Sequence, residues 1–315
     1  MPRRNPPPSG PRPSILGRRP PRAPILPDRR RGRAVYDREF GTGGTRVSVV
    51  GQGTWNLEAA PRSAAVDALR RGIDAGLSHI DTAEMYGDGR VEEIVGDAIA
   101  GRRDEVFLVS KVLPHHASRR GTIEACERTL ARLRTDRLDA YLLHWPGAHP
   151  LAETFAGFEA LEAAGKIRSF GVSNFDACEL DEAHRVAGAG RIRCNQVLYH
   201  LEERSIEHAV IPSCEAKGIA VVAYSPFGSG RFPRAESRGG RVLAAIARSH
   251  GASSHQVALA FLLRRRSLFA IPKAARVEHV VENAGAAAIA LGEDEVRRLE
   301  EAFPRGPRRR GVPIL

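Results

Sequence analysis

Short apolar runs alternate with longer amphipathic ones from about Val47 onward, and this alternation is the feature that most constrains the fold. Runs rich in Val, Ile, Leu and Phe are typical of buried parallel strands, whereas the segments between them have the apolar spacing of helices. Repeated strand–helix units of this kind predict a parallel sheet covered by helices. Eight strands are predicted, over residues 47–53, 78–81, 106–111, 138–144, 167–173, 193–199, 219–225 and 268–273.

The spacing of these units favours a closed (β/α)8 TIM barrel of the α/β class. Successive strand ends from Asp81 to Tyr224 lie 23 to 33 residues apart, and each interval fits one strand–helix unit. The longer interval between Tyr224 and Lys273 leaves room for an extra helix, which we predict over Arg241–Ser249. A doubly wound open sheet is the main alternative, but GQGTW (51–55) lacks the third glycine of a G-x-G-x-x-G motif.

A β-hairpin is predicted before the first barrel strand. The segment REFGTGGTRVSV (38–49) has two short β-type runs around a glycine-rich turn. Such a hairpin would close the bottom of the barrel, where it would serve stability rather than chemistry.

The net charge of +11 resides mainly in the first 34 residues, which hold ten arginines, ten of the 21 prolines and one acid, Asp28. This segment has no apolar periodicity, so we expect residues 1–34 to be a disordered Arg/Pro-rich extension and residues 35–315 to form the barrel domain. The remaining chain carries 38 basic and 36 acidic residues and is close to neutral. Binding of the extension to a polyanion, a passive solvated extension and an over-long translation are three interpretations, of which the last two are favoured.

Composition also restricts the setting in which the protein acts. Four scattered cysteines without a C-x-x-C pair are typical of a reducing compartment, so we expect a cytoplasmic protein without structural zinc. The chain has no apolar run of the ~18 residues needed to span a membrane. We expect a monomer that acts on a small molecule and not on nucleic acid or a membrane.

Polar residues follow three neighbouring predicted strands at the points where the strands end. Asp81 ends the second strand, Tyr86 follows in the loop, Lys111 ends the third strand and His144 ends the fourth. Each residue alone has an ordinary structural explanation, such as a helix cap or a solvated strand end. Because the carboxyl ends of barrel strands converge on one site, and neighbouring strands lie ~4.8 Å apart, we expect the four side chains to lie together.

The charges of this group predict carbonyl reduction. The Lys111 ammonium would favour the Tyr86 tyrosinate and lower the tyrosine pKa, which would make Tyr86 a general acid. Asp81 would keep Lys111 charged and oriented, and His144 would donate a hydrogen bond to the carbonyl oxygen. Because no side chain supplies hydride, the arrangement requires a nicotinamide cofactor.

The chain resembles the aldo-keto reductase family in an ordered set of motifs from about residue 38 to residue 303. These motifs are DTAEMYG (81–87), VSKV (109–112), LLHWPG (142–147), GVSNF (171–175), NQV (195–197), AYSPFGSG (223–230) and AIPKA…EN (270–283). The family's Asp, Tyr, Lys and His tetrad matches Asp81, Tyr86, Lys111 and His144. The resemblance also implies cofactor contacts by Thr54, Ser173, Asn174, Gln196, Tyr224, Ser225, Phe227 and Ser229.

The resemblance implies NADPH or NADP+ as the cofactor, with NADH as the alternative. Lys273 matches the lysine that faces the 2′-phosphate, and Glu282 with Asn283 match the pair that holds adenine. The chain departs from the family pattern at Ala274, where a serine is usual, and at His279, where an arginine is usual. Relaxed cofactor preference is therefore an open alternative.

The loops and the C-terminal segment are short and predict a relatively open substrate pocket suited to small aldehydes or dicarbonyls. Its predicted walls are Trp55, Met85, His115, His116, Trp145 and Phe227. A metal-dependent hydrolase is disfavoured because the adjacent histidines of the chain do not face one point, and we predict no metal site. A non-catalytic, nicotinamide-binding regulatory barrel remains the alternative function.

Overall fold

The computed structural model describes residues 35–315. The predicted disorder of residues 1–34 and the domain boundary after them fall outside the described residues and stay predictions. The strands are β1 (Asp37–Glu39), β2 (Arg46–Ser48), β3 (Gln52–Gly53), β4 (His79–Asp81), β5 (Phe107–Val112), β6 (Ala140–Leu143), β7 (Phe170–Ser173), β8 (Ile192–Leu198), β9 (Ala220–Tyr224) and β10 (Leu268–Ala270). The α-helices are α1 (Arg62–Asp74), α2 (Arg90–Ile99), α3 (Arg119–Leu133), α4 (Leu151–Ala163), α5 (Ala177–Ala187), α6 (Val210–Ala216), α7 (Arg238–Ser249), α8 (Ser254–Leu262), α9 (Val277–Gly285) and α10 (Glu293–Ala302).

Strands β3 to β10 form one parallel sheet in which each strand pairs with the next along the chain. The sheet closes because Val50 bridges Ala270 and Gly53 bridges Lys273. A hydrogen bond from the Gly51 N–H to the Ala270 carbonyl, of 2.8 Å, joins the first and last strands. The predicted (β/α)8 barrel is therefore confirmed.

The helices cover the outside of the barrel and begin at recognisable caps. The Asp176 carboxylate accepts the Glu179 N–H at the start of α5, and the Glu179 side chain accepts the Asp176 N–H in return. The extra helix predicted before the last strand is present as α7. Helix α10 was not predicted, because it is strongly polar and buries only Leu299. No helix within residues 35–315 is both long enough and apolar enough to cross a bilayer.

The first predicted strand is wrong in one respect, because residues 47–53 do not form a single strand. Val47 belongs to β2 and pairs in antiparallel orientation with Arg38, whereas β3 begins only at Gln52. Between them the chain passes against β4, where a Cβ at Gly51 would lie 2.7 Å from the His79 carbonyl oxygen. A glycine at this position therefore allows the chain to pass from the hairpin into the barrel within a few residues.

The predicted hairpin is confirmed as β1 and β2, and it covers the amino-terminal end of the barrel. Phe40, in the turn between the two strands, is 2% exposed and packs against the rings of His79, Phe107 and Phe269 at centroid distances of 5.0 to 5.8 Å. The Arg38 guanidinium donates to the Arg265 carbonyl at 2.6 Å. The hairpin thus closes the end of the barrel opposite the strand termini that carry the predicted chemistry.

His79 is a fully buried imidazole in this aromatic cluster. Within residues 35–315, neither of its ring nitrogens has a hydrogen-bond partner. Burial lowers the pKa of His79 to about 4, more than the nearby Asp81 carboxylate raises it. His79 is therefore neutral in the folded protein at neutral pH.

The burial of His79 predicts a loss of stability in mild acid. The unfolded chain takes up a proton at His79 below about pH 6.5, but the folded chain does so only near pH 4. The contribution of His79 to the free energy of unfolding is therefore complete above pH 6.5. It is lost as the pH falls towards 4, at up to about 1.4 kcal/mol per pH unit. We expect His79→Leu to flatten this part of the pH dependence in urea unfolding. An unchanged slope between pH 6.5 and 4.5 would contradict the assignment.

Candidate active site

A cavity of about 470 Å³ opens at the carboxyl-terminal end of the barrel. All eight strands run in parallel, so the residues that follow their carboxyl ends converge there. Asp81, Tyr86 and His144 line the cavity, and Lys111 lies beneath them with its side chain fully buried. The prediction that these four residues lie together is confirmed.

Lys111 is the centre of this group. Its ammonium donates hydrogen bonds to Asp81 Oδ1 at 2.6 Å, to the Thr82 carbonyl at 2.8 Å and to the Tyr86 hydroxyl at 3.2 Å. Burial by itself would lower the pKa of Lys111, but the Asp81 carboxylate and the Tyr86 hydroxyl together raise it above its ordinary value. Lys111 is therefore a charged ammonium with its donors directed at fixed acceptors.

The pKa of Tyr86 differs from the sequence-based expectation. Burial raises the pKa of the Tyr86 hydroxyl, and the Lys111 ammonium, which favours the tyrosinate, offsets only part of that rise. The expected direction of the Lys111 effect is correct, but the net shift was predicted wrongly because the depth of Tyr86 is set by the tertiary fold. Tyr86 consequently keeps its proton at neutral pH.

His144 is a neutral imidazole beside Tyr86. Burial, with a further contribution from Lys111, lowers the pKa of His144 to about 2. Its Nδ1 has no hydrogen-bond partner in the described part of the chain. A buried N–H without an acceptor is less favourable than a buried lone pair without a donor, so we assign the proton to Nε2. In that tautomer His144 can donate one hydrogen bond but does not act as a strong acid.

The predicted carboxamide-binding residues form a continuous hydrogen-bonded group along another wall of the cavity. The Tyr224 hydroxyl donates to Asn174 Oδ1 at 3.0 Å, and the Asn174 amide donates to the Ser173 hydroxyl at 3.3 Å. Gln196 donates to Asp81 Oδ2 at 2.7 Å, a link that the sequence analysis did not anticipate. Asp81 therefore contacts both Lys111 and the wall of predicted cofactor residues.

Three predicted cofactor residues have a left-handed backbone. Asn174, Ser225 and Ser229, with φ of 61°, 47° and 51°, are half of the six non-glycine residues with positive φ within residues 35–315. Such a conformation costs on the order of 1–3 kcal/mol and occurs preferentially at ligand-binding sites. Ser225 lines the cavity, as does Thr54, whose hydroxyl donates to the Asp81 carbonyl at 2.8 Å.

Two predicted residues of the loop after β9 lie outside the cavity lining. Phe227 packs edge-on against Phe232 and His255, with centroid distances of 5.9 and 4.9 Å, and His255 in turn stacks on Phe232. Ser229 follows in the same loop and also lies outside the lining. The structure thus brings Ser225 to the cavity but directs Phe227 into a contact with α8.

The residues predicted for the adenosine end lie beyond the cavity, except for Lys273. Lys273 is exposed at the cavity edge. On α9, the His279 imidazole is exposed and accepts a hydrogen bond from Arg276 at 2.6 Å. Glu282 is half-buried and its carbonyl accepts from Gln256, whereas Asn283 is buried.

The substrate wall differs from the prediction on one side. Trp55, Met85 and Trp145 line the cavity as expected, and Trp55 and Met85 are 40% and 38% exposed. His115 and His116 do not line it, because the loop after β5 turns both rings aside and His116 Nδ1 lies 3.0 Å from Glu84 Oε1. Among residues 35–315, no three His, Cys, Asp or Glu side chains are grouped as a metal site would require.

The C-terminal segment forms part of the cavity wall, which was not predicted from its short length. Ile314 and Leu315 line the cavity and are 60% and 45% exposed. The buried Arg204 guanidinium donates to the Phe303 carbonyl at 2.5 Å and so anchors the start of this segment. The cavity-lining residues Ile271, Ile314 and Leu315 were not predicted. Only Ile271 had a signal, since it lies within the IPK motif.

Comparison with known proteins agrees with this geometry. The Aldo/keto reductase family model matches residues 49–303. Methylglyoxal reductase YeaE from Escherichia coli (strain K12) is 44% identical over 265 residues, covering 84% of this chain and 93% of that protein. Glyoxal reductase from Bacillus subtilis (strain 168) is 32% identical over 260 residues, covering 82% of this chain and 89% of that protein.

Solved structures show the same relationship. A crystal structure of an aldo/keto reductase from Klebsiella pneumoniae, in complex with NADP and acetate, matches with a TM-score of 0.83 and 42% sequence identity. The match covers 89% of this chain and all of that one. The chain therefore belongs to the aldo/keto reductase family and is an NAD(P)H-dependent oxidoreductase that acts on carbonyl groups.

Proposed function

We propose that the chain reduces small aldehydes and dicarbonyls to alcohols with NADPH, and that Tyr86 is the general acid. The observation that carries this proposal is the buried Lys111 ammonium, which donates to both Asp81 and the Tyr86 hydroxyl beneath an open cavity. A neutral tyrosine next to a fixed positive charge is suited to donate a proton to an alkoxide as it forms. The cofactor when bound supplies the hydride.

The four residues have distinct roles in this mechanism. His144, neutral and protonated at Nε2, donates a hydrogen bond that orients the carbonyl oxygen towards the Tyr86 hydroxyl. Tyr86 then transfers its proton to that oxygen, and the Lys111 ammonium stabilises the tyrosinate that remains. Asp81 keeps Lys111 charged throughout. Burial of the group strengthens each electrostatic interaction relative to water.

Residues on the cavity wall next to the tetrad fit a nicotinamide ring. Ser173, Asn174 and Gln196 present amide and hydroxyl groups to the cavity, which match the donors and acceptors of a carboxamide. The Tyr224 ring is half-buried at the cavity and offers an aromatic face for stacking. The left-handed backbone at Asn174, together with that at Ser225, supports a ligand-binding role for this wall.

We propose 2-oxoaldehydes such as methylglyoxal as the substrate class. Support comes from the names of the relatives, a methylglyoxal reductase and a glyoxal reductase, and from a cavity of modest volume. Trp55, Trp145 and Ile314 provide the apolar surface against which a short carbon chain can pack. The second carbonyl of such a substrate leaves the one next to His144 more electrophilic.

We further propose that the barrel domain of residues 35–315 is the catalytic unit, monomeric and cytoplasmic, and that residues 1–34 have no role in turnover. The free state of Cys126, Cys178, Cys194 and Cys214 is compatible with a reducing compartment. The near-neutral charge of the barrel domain gives no support to a role in nucleic-acid binding.

Replacement of Tyr86 tests the general acid. Tyr86→Phe removes only the hydroxyl, so we expect the turnover number with methylglyoxal to fall by at least about 100-fold while the NADPH dissociation constant stays within about two-fold. Tyr36→Phe is the matched control, because its hydroxyl bonds Arg38 at the far end of the barrel. Turnover by Tyr86→Phe at the wild-type rate would refute the role.

Cofactor binding without turnover by the wild type, across a panel of carbonyl compounds, would favour a regulatory subunit.

Replacement of Lys273 tests the cofactor preference. Lys273 is exposed at the cavity edge, where its ammonium can pair with the 2′-phosphate that distinguishes NADPH from NADH. We expect Lys273→Ala to weaken NADPH binding on the order of 10-fold and to leave NADH binding unchanged, as measured by fluorescence titration. Lys166→Ala, on the outer surface of the barrel, serves as the control. Equal weakening of both cofactors would contradict recognition of the 2′-phosphate.

A further inference from the structure

Glu84 is a buried carboxylate that no step of the mechanism uses. It lies between Asp81 and Tyr86 in the loop after β4, and its side chain is 6% exposed. Glu84 Oε1 accepts a hydrogen bond from the Leu113 N–H at 2.7 Å and contacts His116 Nδ1 at 3.0 Å. Burying a carboxylate is unfavourable unless it is paired, so these contacts fix where the Glu84 side chain lies.

Two partners of Glu84, Leu113 and His116, come from the chain that follows Lys111, and the Arg128 guanidinium on α3 lies 3.9 Å from Glu84 Oε2. Leu113 is two residues beyond Lys111, and the Glu84 N–H itself faces the Lys111 carbonyl at 3.5 Å. Val112 lies between Lys111 and Leu113, and its carbonyl accepts the His144 N–H at 3.0 Å. One carboxylate therefore joins the loop that carries Tyr86 to the strand end that carries Lys111, and that strand end is in turn bonded to His144.

The chain on the other side of Tyr86 is held to the start of α2, because the Arg90 N–H is bonded to the Tyr86 and Gly87 carbonyls. Gly87, Asp88 and Gly89 follow in sequence, all with a left-handed backbone at φ of 55°, 53° and 87°. Two of these three are glycines, which have a wide choice of backbone conformations. The Tyr86 N–H is bonded only locally, to the Ala83 carbonyl at 3.0 Å. Glu84 adds a further link, from the residues before Tyr86 to Leu113 just beyond Lys111.

We propose that Glu84 is a positioning residue, which holds the Tyr86 hydroxyl at hydrogen-bond distance from Lys111 by bonding the two loops together. The proposal rests on the proposed role of Tyr86 as general acid. The distance of 3.2 Å between Lys111 Nζ and the Tyr86 hydroxyl is sensitive to any relative shift of the two loops. A displacement of about 1 Å in a catalytic group can cost on the order of 100-fold in rate.

The test measures the chemical step directly. We expect Glu84→Ala to lower the single-turnover rate of methylglyoxal reduction, at saturating NADPH and substrate, by about 10- to 100-fold. The NADPH dissociation constant should stay within about two-fold, because Glu84 does not line the cavity. Glu84→Gln retains an oxygen that can accept the Leu113 N–H, so it should recover most of the lost rate.

Asp139, just before β6, provides a matched control because it bonds the opposite end of β5 from the end that Glu84 contacts. Its carboxylate is also buried, accepts the Leu108 N–H at 2.9 Å and pairs with Arg103 at 2.8 Å and Arg168 at 3.1 Å. Asp139→Ala removes an equivalent link between β6 and β5, far from the cavity. We expect it to lower the unfolding temperature at least as much as Glu84→Ala does, while its single-turnover rate stays within about two-fold of the wild type.

Three results would overturn the proposal. The first is a wild-type single-turnover rate in Glu84→Ala. The second is an equal loss of rate in Asp139→Ala, which would show that reduced stability alone accounts for the effect. The third is a rate for Glu84→Gln as low as that of Glu84→Ala. If the alanine variant does not fold, Glu84→Gln is compared with the wild type instead, and a large loss of its rate overturns the proposal. Failure of the general-acid role is recognised separately, because Tyr86→Phe would then remain active.

Discussion

The buried ion pair of Lys111 with Asp81 is the interaction on which the rest of the site depends. A lysine ammonium removed from water is unfavourable unless its donors are satisfied, and here Asp81, the Thr82 carbonyl and the Tyr86 hydroxyl take all three. Because these acceptors come from β4 and the loop after it, whereas Lys111 comes from β5, the pair also fixes neighbouring strand ends against each other. The same charge then acts on the tyrosine that we propose as the acid.

The fold was largely predictable because it depends on local periodicity. The strand–helix rhythm fixed the barrel, and the turn residues at Thr42-Gly43-Gly44 indicated the hairpin. The division of residues 47–53 between hairpin and barrel was not predictable, because it depends on pairing with other strands, of Val47 with Arg38 and of Gly53 with Asp81. Helix α10 escaped prediction for a different reason, because most of its residues are polar and Leu299 is the one buried residue of the helix.

The site was predictable as a set of residues but less so in its electrostatics and its walls. Strand ends gave the positions of Asp81, Lys111 and His144, because a parallel barrel brings such ends together. The direction of the Tyr86 pKa shift depends on burial, which no local pattern reports. The C-terminal segment is anchored at its start by a contact between Arg204 and the Phe303 carbonyl, across 99 positions of sequence, which no local pattern reports.

The central claim is that Lys111 promotes the reaction through Tyr86, and a double-mutant cycle of Tyr86→Phe and Lys111→Met tests it most directly. Single-turnover rates of methylglyoxal reduction at saturating NADPH would be measured for the wild type, both single variants and the double variant. If Lys111 acts by stabilising the Tyr86 tyrosinate, the double variant should be no slower than Tyr86→Phe alone, within about two-fold. Rate losses that multiply in the double variant would show that Lys111 acts independently of Tyr86 and would contradict the account.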